Sequence, residues 1–409
     1  MNPKLKIAFI LSKFPCYDET FILREIYGLS KKEDVLIVSL KNAKDPIVHD
    51  QAAELLPKTI YVPYFFSDLI FWAHLKTFFT QPGRYLKALF GLIGGNLKSP
   101  VFLLKSLAFF PKAVYLAERL KQEGVTNIHA YWATYPASVA LIISELSGIP
   151  YSFTGHAHDI YLDTTYLTQK MMRATFVTTC TQHNKEHLMK VAPLYSERRI
   201  LVNYHGLELK QFYVNGKMRN KTFQILSVGT LNSHKGFNFL IQALTILKQK
   251  GHPFHCTIVG GGPLEAELKK QISTLKLESY ITMTGPLKQN EVLTWYKKAD
   301  LLVLMAQPEW HWGIPNVLIE ALAAKTPVIT TQFGSVQELI KDQETGLIVP
   351  PKDPEALSRA IELLYQNDEL RRKLAEAGHE IVTQSFDLEK NLEQFKEKFV
   401  KYAAYPILS

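Results

Sequence analysis

Short apolar runs of three to six residues recur along the whole chain and alternate with longer amphipathic stretches. The runs are mostly β-branched or aromatic and end at polar residues, glycine or proline, so we predict that they are strands. The predicted strands are Ile7–Leu11, Val35–Leu40, Asn127–Tyr131, Tyr151–Thr154, Thr175–Thr179, Gln224–Val228, His255–Val259, Tyr280–Thr284, Leu301–Leu304, Pro327–Thr330 and Leu347–Val349. Near-continuous apolar strands between amphipathic helices are typical of parallel sheets covered on both faces. The pattern occurs twice, which predicts two α/β domains.

The polar stretch 206–222 interrupts this pattern and is the predicted linker between an N-terminal domain, 1–205, and a C-terminal domain, 223–385. A length of 409 residues suits two domains of this size. The segment 386–409 is predicted to be a helix that crosses back to the N-terminal domain, since its apolar residues have helical spacing. Those residues are Leu388, Leu392, Phe395, Phe399 and Tyr402.

The stretch 69–117 has an unusual composition: six basic residues, ten aromatic residues and no Asp or Glu. Basic side chains among large apolar ones favour an interfacial membrane helix, in which apolar burial and attraction to anionic lipid act together. A pair of ordinary helices with inward aromatics and solvated lysines is the alternative. The net charge of +9 also favours an anionic partner. We expect that partner to be an anionic membrane surface, and we expect no nucleic acid, because no nucleic-acid-binding motif accompanies the charge.

Composition and leader signals suggest a cytoplasmic protein. Hydrophobic residues make up 47% and charged residues 21%, as in soluble globular proteins. The three cysteines, Cys16, Cys180 and Cys256, fit no zinc or disulfide spacing, which favours a reducing compartment. The apolar run Ile7–Leu11 is too short for a signal peptide, and no uninterrupted apolar stretch reaches the roughly 18 residues of a membrane span. We therefore expect neither secretion nor a bilayer crossing.

The strongest chemical signal lies at Gly313–Glu338. A Gly-Ile-Pro turn leads into a helix that is predicted to begin near Asn316, so backbone N–H groups and the positive end of the helix dipole face the turn. This arrangement suits a diphosphate. Glu320, one turn into the helix, could accept both hydroxyls of a ribose, and Gly334-Ser335 is a second turn open to a ligand. A plain helix-turn-strand unit is the alternative interpretation.

Further motifs accompany this segment in a fixed order: Val228-Gly229-Thr230 with Lys235-Gly236-Phe237, then Val259-Gly260-Gly261-Gly262-Pro263-Leu264, Gly285-Pro286-Leu287 and Ala299-Asp300-Leu301. Together they resemble family 4 of the retaining glycosyltransferases. The resemblance implies the GT-B fold, in which two Rossmann-like α/β domains with parallel sheets face an interdomain cleft. It also implies a nucleotide-sugar donor, commonly UDP-linked although GDP and ADP donors occur, and no metal cofactor.

The N-terminal motifs are similar to the subgroup that builds bacterial exopolysaccharide, such as colanic-acid-type enzymes. These motifs are Phe14-Pro15 with Glu19-Thr20-Phe21-Ile22, His129-Ala130-Tyr131-Trp132-Ala133 and Phe153-Thr154-Gly155-His156-Ala157-His158-Asp159. Tyr131 and Asp18 depart from the residues common in that subgroup. The resemblance implies a lipid-linked or polysaccharide acceptor near Glu19, Thr20, His158 and Asp159. We expect the protein to be cytoplasmic and peripheral on the inner face of the plasma membrane.

The resemblance also implies individual roles. Lys235 matches the residue that contacts the donor diphosphate, where a cation steadies the departing nucleotide. His156 matches the histidine beside the donor sugar, and Glu320 matches the ribose ligand. The family often has Arg where this chain has Thr230, and Glu where it has Trp312. The implied donor-binding set is Gly229, Thr230, Lys235, Gly285, Trp312, Gly313, Ile314, Pro315, Asn316, Val317 and Glu320.

Glu309 or His311 could reach the sugar in place of the missing carboxylate, so His156, Lys235 and Glu309 are the predicted catalytic residues. Four alternatives stay open. His156, His158 and Asp159 could contribute to a metal site. Asp159 could act as a base, although front-side retention needs none. The chain could also be a sugar-nucleotide epimerase, or a binding or scaffold homologue without activity.

Overall fold

The computed structural model describes residues 5–16, 19–43, 49–62, 67–162, 164–212, 222–310 and 313–402, with only the backbone of Trp310. Within these ranges the strands are β1 Lys6–Phe14, β2 Asp34–Asn42, β3 Thr59–Tyr61, β4 Asn127–Tyr131, β5 Tyr151–Gly155, β6 Val177–Thr179, β7 Ile200–Val202, β8 Phe223–Val228, β9 Phe254–Val259, β10 Ile281–Gly285, β11 Leu301–Leu304, β12 Val328–Thr331 and β13 Leu347–Val349.

The helices of the same ranges are α1 Thr20–Ser30, α2 Asp50–Leu55, α3 Asp68–Thr80, α4 Pro82–Asn96, α5 Pro100–Gln122, α6 Tyr135–Ser147, α7 His158–Tyr161, α8 Leu167–Arg173, α9 Gln182–Val191, α10 Phe237–Gln249, α11 Glu265–Thr274, α12 Gln289–Lys298, α13 Asn316–Ala323, α14 Pro354–Gln366, α15 Asp368–Ser385 and α16 Leu388–Tyr402. The chain divides into two compact units, Met1–Gly206 with Leu388–Ser409, and Leu207–Asp387.

The first domain contains a parallel sheet in the order β3-β2-β1-β4-β5-β6-β7. Its strands are apolar on both faces, since each face is covered by helices. One core includes residues of α5 and α6 and the strand residues Ala8 and Ile128. The other core joins β1 and α1 to α16, whose Phe395 and Phe399 are buried. Burial of a phenylalanine contributes about 1.5–3 kcal/mol, so α16 is an integral part of this domain.

The second domain contains a parallel sheet in the order β10-β9-β8-β11-β12-β13. Its core includes Phe237 and Leu240 of α10, Leu268 of α11 and Leu357 of α14. The bridge between Leu207 and Asp387 and a 3₁₀ turn at Leu209–Phe212 also belong to this unit. The structure therefore assigns residues 207–212 to the second domain, where the sequence predicted the start of a linker, and 213–221 lie outside the described residues.

All the strands that the apolar pattern predicted are present, with ends shifted by at most a few residues. Two strands, β3 and β7, were not predicted. Each has three residues and lies at an edge of the sheet. A strand this short contains too few alternations to be separated from a loop by periodicity.

In each sheet the strand order reverses at one point, between β1 and β4 in the first domain and between β8 and β11 in the second. Open α/β sheets bind ligands outside the carboxyl ends of the strands at such a switch point. The carboxyl edges of the two sheets at these switch points are therefore the expected ligand sites.

Candidate functional site

In the second domain, the turn after β8 carries Gly229 and Thr230, and Lys235 ends a 3₁₀ turn that follows. The Lys235 side chain lies over Gly229, with its methylenes 3.6 Å from the position that a Cβ on Gly229 would occupy. Burial lowers the pKa of Lys235. A half-buried cation at this edge would interact strongly with an anionic ligand, because little water screens it.

The glycine turns after β8, β9 and β10 lie against one another. A Cβ on Gly260, whose φ is +145°, would come within 2.0 Å of the Gly229 carbonyl oxygen, so only glycine fits there. The Gly260 N–H donates to the Gly285 carbonyl at 3.0 Å, and the Gly229 N–H donates to the Val259 carbonyl at 3.0 Å. These contacts bring the predicted donor residues Gly229 and Gly285 to one sheet edge.

Helix α13 begins at Asn316, as the sequence predicted. Pro315 precedes it in an extended conformation, and within the described chain no side chain caps its N-terminus. The uncapped N–H groups and the dipole therefore leave a place for an anion. Residues Gly313 to Val317 are half-buried. His311 and Trp312, both named by the sequence analysis, lie outside the described residues.

The Glu320 carboxylate is positioned by a partner that the sequence did not reveal. The Tyr296 hydroxyl, on α12, donates to Glu320 Oε2 at 2.8 Å. Burial and the nearby carboxylate raise the pKa of Tyr296 well above its usual range, so the hydroxyl stays a donor. No sequence signal points to Tyr296, because the two residues lie on different helices.

Glu309, predicted to be catalytic, is exposed in a 3₁₀ turn after β11. Its carboxylate pairs with Lys352 Nζ at 3.3 Å. A hydrogen bond from its own backbone and then the Lys352 partner lower its pKa, so Glu309 is ionised at neutral pH. It can accept hydrogen bonds from sugar hydroxyls but cannot supply a proton.

Ser335, in the second predicted turn of this domain, is almost fully buried, with 1% of its surface exposed. Its hydroxyl has no hydrogen-bond partner within the described chain. A buried hydroxyl without a partner costs free energy, so a ligand or water is its natural partner.

In the first domain, two buried histidines have opposite surroundings. His129, on β4, is bonded through both ring nitrogens, to Ser152 Oγ and Thr154 Oγ1, each at 2.8 Å. His156, directly after β5, is also buried, but neither ring nitrogen has a partner within the described chain. Burial, followed by the neighbouring histidines, holds the pKa of His156 well below its usual range. His129 is thus satisfied by the fold, whereas His156 has its hydrogen-bonding groups available.

Aromatic rings surround His156. The Trp132 ring centre lies 4.6 Å from that of His156 and 5.1 Å from that of His158. Trp132 Nε1 donates to Glu19 Oε1 at 2.9 Å. The fold therefore brings the predicted site residues Glu19, His156 and His158 together with Trp132. Trp132 belongs to one of the N-terminal motifs, but no role was predicted for it. Thr20 starts α1 beside Glu19.

Asp159 is fully buried, and its carboxylate accepts hydrogen bonds from the backbone N–H groups of Ala133 at 2.8 Å, Ala157 at 2.8 Å and His156 at 3.0 Å. These bonds hold the turns after β4 and β5 in place. Its position therefore suits an orienting role better than that of a base. As to metal, no group of three or more His, Cys, Asp or Glu in the described ranges is placed to hold an ion.

Two parallel-sheet α/β domains, with glycine turns and an uncapped helix at the sheet edge, define the GT-B class of glycosyltransferase fold. Residues 213–381 match the profile of the family Glycosyl transferases group 1. This match places a group 1 glycosyltransferase domain in the second half of the chain, in agreement with the predicted resemblance.

Similar proteins extend over both domains. The chain is 26% identical over 402 residues to the amylovoran biosynthesis glycosyltransferase AmsK of Erwinia amylovora, covering 89% of this chain and 91% of AmsK. It is 24% identical over 419 residues to the putative colanic acid biosynthesis glycosyltransferase WcaL of Salmonella typhimurium, covering 94% and 96%. The crystal structure of Anabaena HepE in complex with UDP superimposes with a TM-score of 0.72 at 16% identity, covering 97% of this chain and 100% of HepE.

Proposed function

We propose that this chain is a retaining, metal-independent glycosyltransferase that transfers a sugar from a nucleoside-diphosphate donor, with UDP the first candidate, to a lipid-linked or polysaccharide acceptor. The observation that carries the proposal is the carboxyl edge of the second domain's sheet, where Lys235 and the glycine turns lie after β8, and where the chain leaving the neighbouring strand β11 leads to the uncapped α13. Backbone N–H groups and a half-buried lysine are the groups that recognise a diphosphate.

The chemistry needs little more than charge stabilisation. As the bond between sugar and diphosphate breaks, negative charge grows on the departing diphosphate. Lys235 and the N-terminus of α13 stabilise this charge, because their positive ends are already in place. The leaving phosphate can take the acceptor's proton, so retention on one face requires no enzyme base. The ionised Glu309 and the orienting Asp159 are compatible with that mechanism.

The similar proteins favour a role in bacterial cell-surface glycan synthesis. AmsK and WcaL are named for amylovoran and colanic acid biosynthesis, and each is similar to this chain over most of its length. HepE, which shares the fold, was crystallised with UDP and with UDP-glucose. These names support a UDP-sugar donor and an exopolysaccharide-type acceptor for this chain.

A surface of the first domain supports an acceptor held at a membrane. Within the described chain, ten of the seventeen exposed large apolar side chains lie between residues 69 and 104. They are Leu69, Phe71, Trp72, Phe78, Phe79, Leu86, Phe90, Leu97, Val101 and Leu104, here called the α3–α5 apolar face. Basic side chains accompany them and no acid lies in 69–117. An apolar face with basic neighbours suits the headgroup region of an anionic bilayer. Pairing of two copies of the chain through this face is disfavoured, because their basic side chains would repel each other.

We place the enzyme peripherally, on the inner face of the plasma membrane. Helix α5 alone in the described chain is long and apolar enough to cross a bilayer, although Lys105 and Lys112 interrupt its apolar run, and 33% of its apolar window is buried. Its second half, including Phe110 and Leu116, belongs to the first domain's core. That packing favours docking over crossing.

The direct test uses purified full-length chain, EDTA, a panel of UDP-, GDP- and ADP-sugars, and lipid-linked glycans extracted from an exopolysaccharide-producing bacterium. We expect release of nucleoside diphosphate that depends on the acceptor extract, and a product whose anomeric configuration by NMR equals that of the donor. An inverted product would refute retention. Donor that binds but is never consumed would favour the scaffold alternative, which the loss of the usual Arg at Thr230 motivates.

A further inference from the structure

Glu25 is a buried carboxylate for which the proposed mechanism has no role. It lies on α1 with 3% of its surface exposed. The Tyr131 hydroxyl, at the end of β4, donates to Glu25 Oε2 at 2.7 Å, and His205 Nδ1 donates to Oε1 at 3.0 Å. Burial, followed by the Glu25 carboxylate, raises the pKa of Tyr131 well above its usual range, so the hydroxyl stays a donor. A buried carboxylate is costly unless it is paired, so both hydrogen bonds are expected to persist.

The backbone around His205 is anchored on both sides. Asn391 Nδ2, on α16, donates to the Tyr204 carbonyl at 2.8 Å, and Arg24 Nη1, on α1, donates to the Gly206 carbonyl at 3.4 Å. All five residues belong to the first domain. The His205 ring is therefore fixed at its backbone and at Nδ1, which leaves it little freedom to turn.

His156 is the ring that this arrangement supports. Neither of its ring nitrogens has a partner within the described chain, so packing sets the orientation of the imidazole. The two rings bound to Glu25 lie nearly parallel to it, His205 at 5.2 Å between ring centres and 21°, and Tyr131 at 6.3 Å and 20°. Two further rings contact it at steeper angles, 48° and 62°. Aromatic pairs at these distances attract each other.

A side chain that acts on a substrate must be held within about 0.5 Å of its productive position by the residues behind it. A hydrogen bond to one ring nitrogen usually orients a histidine, and in the described ranges His156 has none. We propose that Glu25 is a positioning residue that fixes the His156 imidazole through the two rings that it binds. This assignment rests on the proposed function, because the transfer reaction is what requires His156 beside the donor sugar.

Four variants of the full chain test this role. Glu25→Met keeps the length of the side chain and removes both acceptor oxygens, whereas Glu25→Gln keeps an acceptor and should rescue. Tyr131→Phe removes one hydrogen bond and keeps the ring, so it tests the proposal even where Glu25→Met does not fold. Glu33→Met is the matched control, because Glu33 is a partly buried glutamate of the same domain, paired with Lys396 Nζ at 2.7 Å.

NMR of the protein labelled with ¹³C-histidine observes the His156 ring without any substrate. Its Cε1–Hε1 signal, assigned with His156→Phe, should be single and narrow in the wild type, Glu25→Gln and Glu33→Met. The signal should broaden or split in Glu25→Met, and do so less in Tyr131→Phe, while that of His187, in the same domain, stays unchanged. A His156 signal that remains single and narrow in both Glu25→Met and Tyr131→Phe would overturn the proposal.

Transfer kinetics show whether the ring position matters. With the nucleotide-sugars and glycan extract of the transfer assay, Glu25→Met should lower kcat by about tenfold, equal to about 1.4 kcal/mol, and leave the donor KM nearly unchanged. On a His156→Phe background it should cause little further loss, since it acts through that ring. Additive losses would show a merely structural role and overturn the proposal. No transfer by the wild type would count against the proposed function, and the NMR signal would still decide whether Glu25 positions the ring.

Discussion

Among single residues, two buried histidines show how hydrogen-bond partners distinguish a structural residue from a candidate site residue. His129 and His156 are both buried in the first domain, at or just after adjacent strands. Both ring nitrogens of His129 form hydrogen bonds with side chains of β5, whereas neither ring nitrogen of His156 has a partner within the described chain. Nothing in the sequence distinguishes a satisfied histidine from an unsatisfied one, because the difference depends on which side chains the fold places around each ring.

The unsatisfied histidine should matter to transfer and not to folding. We expect His156→Phe, which fills the same space without ring nitrogens, to lower kcat/KM for transfer by about 10²-fold, the usual effect of losing one positioned hydrogen-bonding group. UDP binding should be unchanged, since His156 belongs to the first domain. Steady-state kinetics and calorimetry measure the two effects. Full activity of this variant would remove His156 from the site.

The satisfied histidine should make stability depend on pH. Burial lowers the pKa of His129 to about 3, so the unfolded chain binds more protons than the folded one between that value and about 6.5. Stability from His129 is therefore complete above pH 6.5 and lost as the pH falls, by about 2 kcal/mol at pH 5. Urea unfolding of wild type and His129→Gln at the two pH values tests this; parallel losses in both proteins would show that other groups are responsible.

Tyr296 should act through Glu320. Tyr296→Phe removes the hydroxyl that fixes the carboxylate and should weaken uridine and UDP equally, by about fivefold, the effect of one hydrogen bond of about 1 kcal/mol. Glu320→Ala should weaken both ligands more. Calorimetry of the double variant supplies the control, since two residues acting on one contact give less than additive losses. Additive losses would mean that Tyr296 and Glu320 act separately.

At the element scale, α3, α4 and the first half of α5 are the least expected part of the first domain. The acid-free composition predicted either an interfacial element or inward-packed helices, and the structure contains features of both. Phe110 is buried and Tyr85 packs against the core, whereas Trp72 and Phe79 are 65% and 75% exposed. The composition identified 69–117 as an unusual segment, but only the packing shows which of its aromatic side chains reach the surface.

The α3–α5 apolar face should bind anionic vesicles. Burying one large apolar side chain contributes about 1.5–3 kcal/mol, so Trp72→Ser with Phe79→Ser should cut vesicle binding by at least about tenfold. Leu194→Ser is the matched control, because Leu194 is 89% exposed on the same domain but outside this face. Flotation with phosphatidylglycerol vesicles measures binding.

Salt separates the two contributions to that binding. High salt should weaken the wild type, since screening acts on the basic residues, while the Trp72 and Phe79 effect should persist. Equal binding to neutral vesicles would refute the electrostatic contribution. Unchanged binding by the double variant would show that this face does not meet the membrane.

At the scale of the whole molecule, the sequence predicted the architecture and only part of the site. Apolar strands such as Ile7–Leu11 and Leu301–Leu304 are unambiguous because both of their faces are buried, and burial on both faces removes the polar alternation of other strands. The start of α13 was also predictable, since the Gly-Ile-Pro turn marks it. Contacts between elements distant in the chain, such as Glu19 with Trp132 or Tyr296 with Glu320, were not, because no local pattern encodes them.

For the whole molecule, our main proposal is that the second domain holds a nucleoside diphosphate through Lys235 and α13 without a metal. Isothermal titration of UDP and of uridine in EDTA tests it, with Lys235→Ala beside Lys250→Ala, an exposed lysine that precedes β9 at the opposite sheet edge. We predict that wild-type and Lys250→Ala bind UDP alike. Lys235→Ala should lose about tenfold or more for UDP, worth about 1.4 kcal/mol, and little for uridine. Loss of UDP binding in EDTA, or unchanged UDP affinity in Lys235→Ala, would contradict the claim.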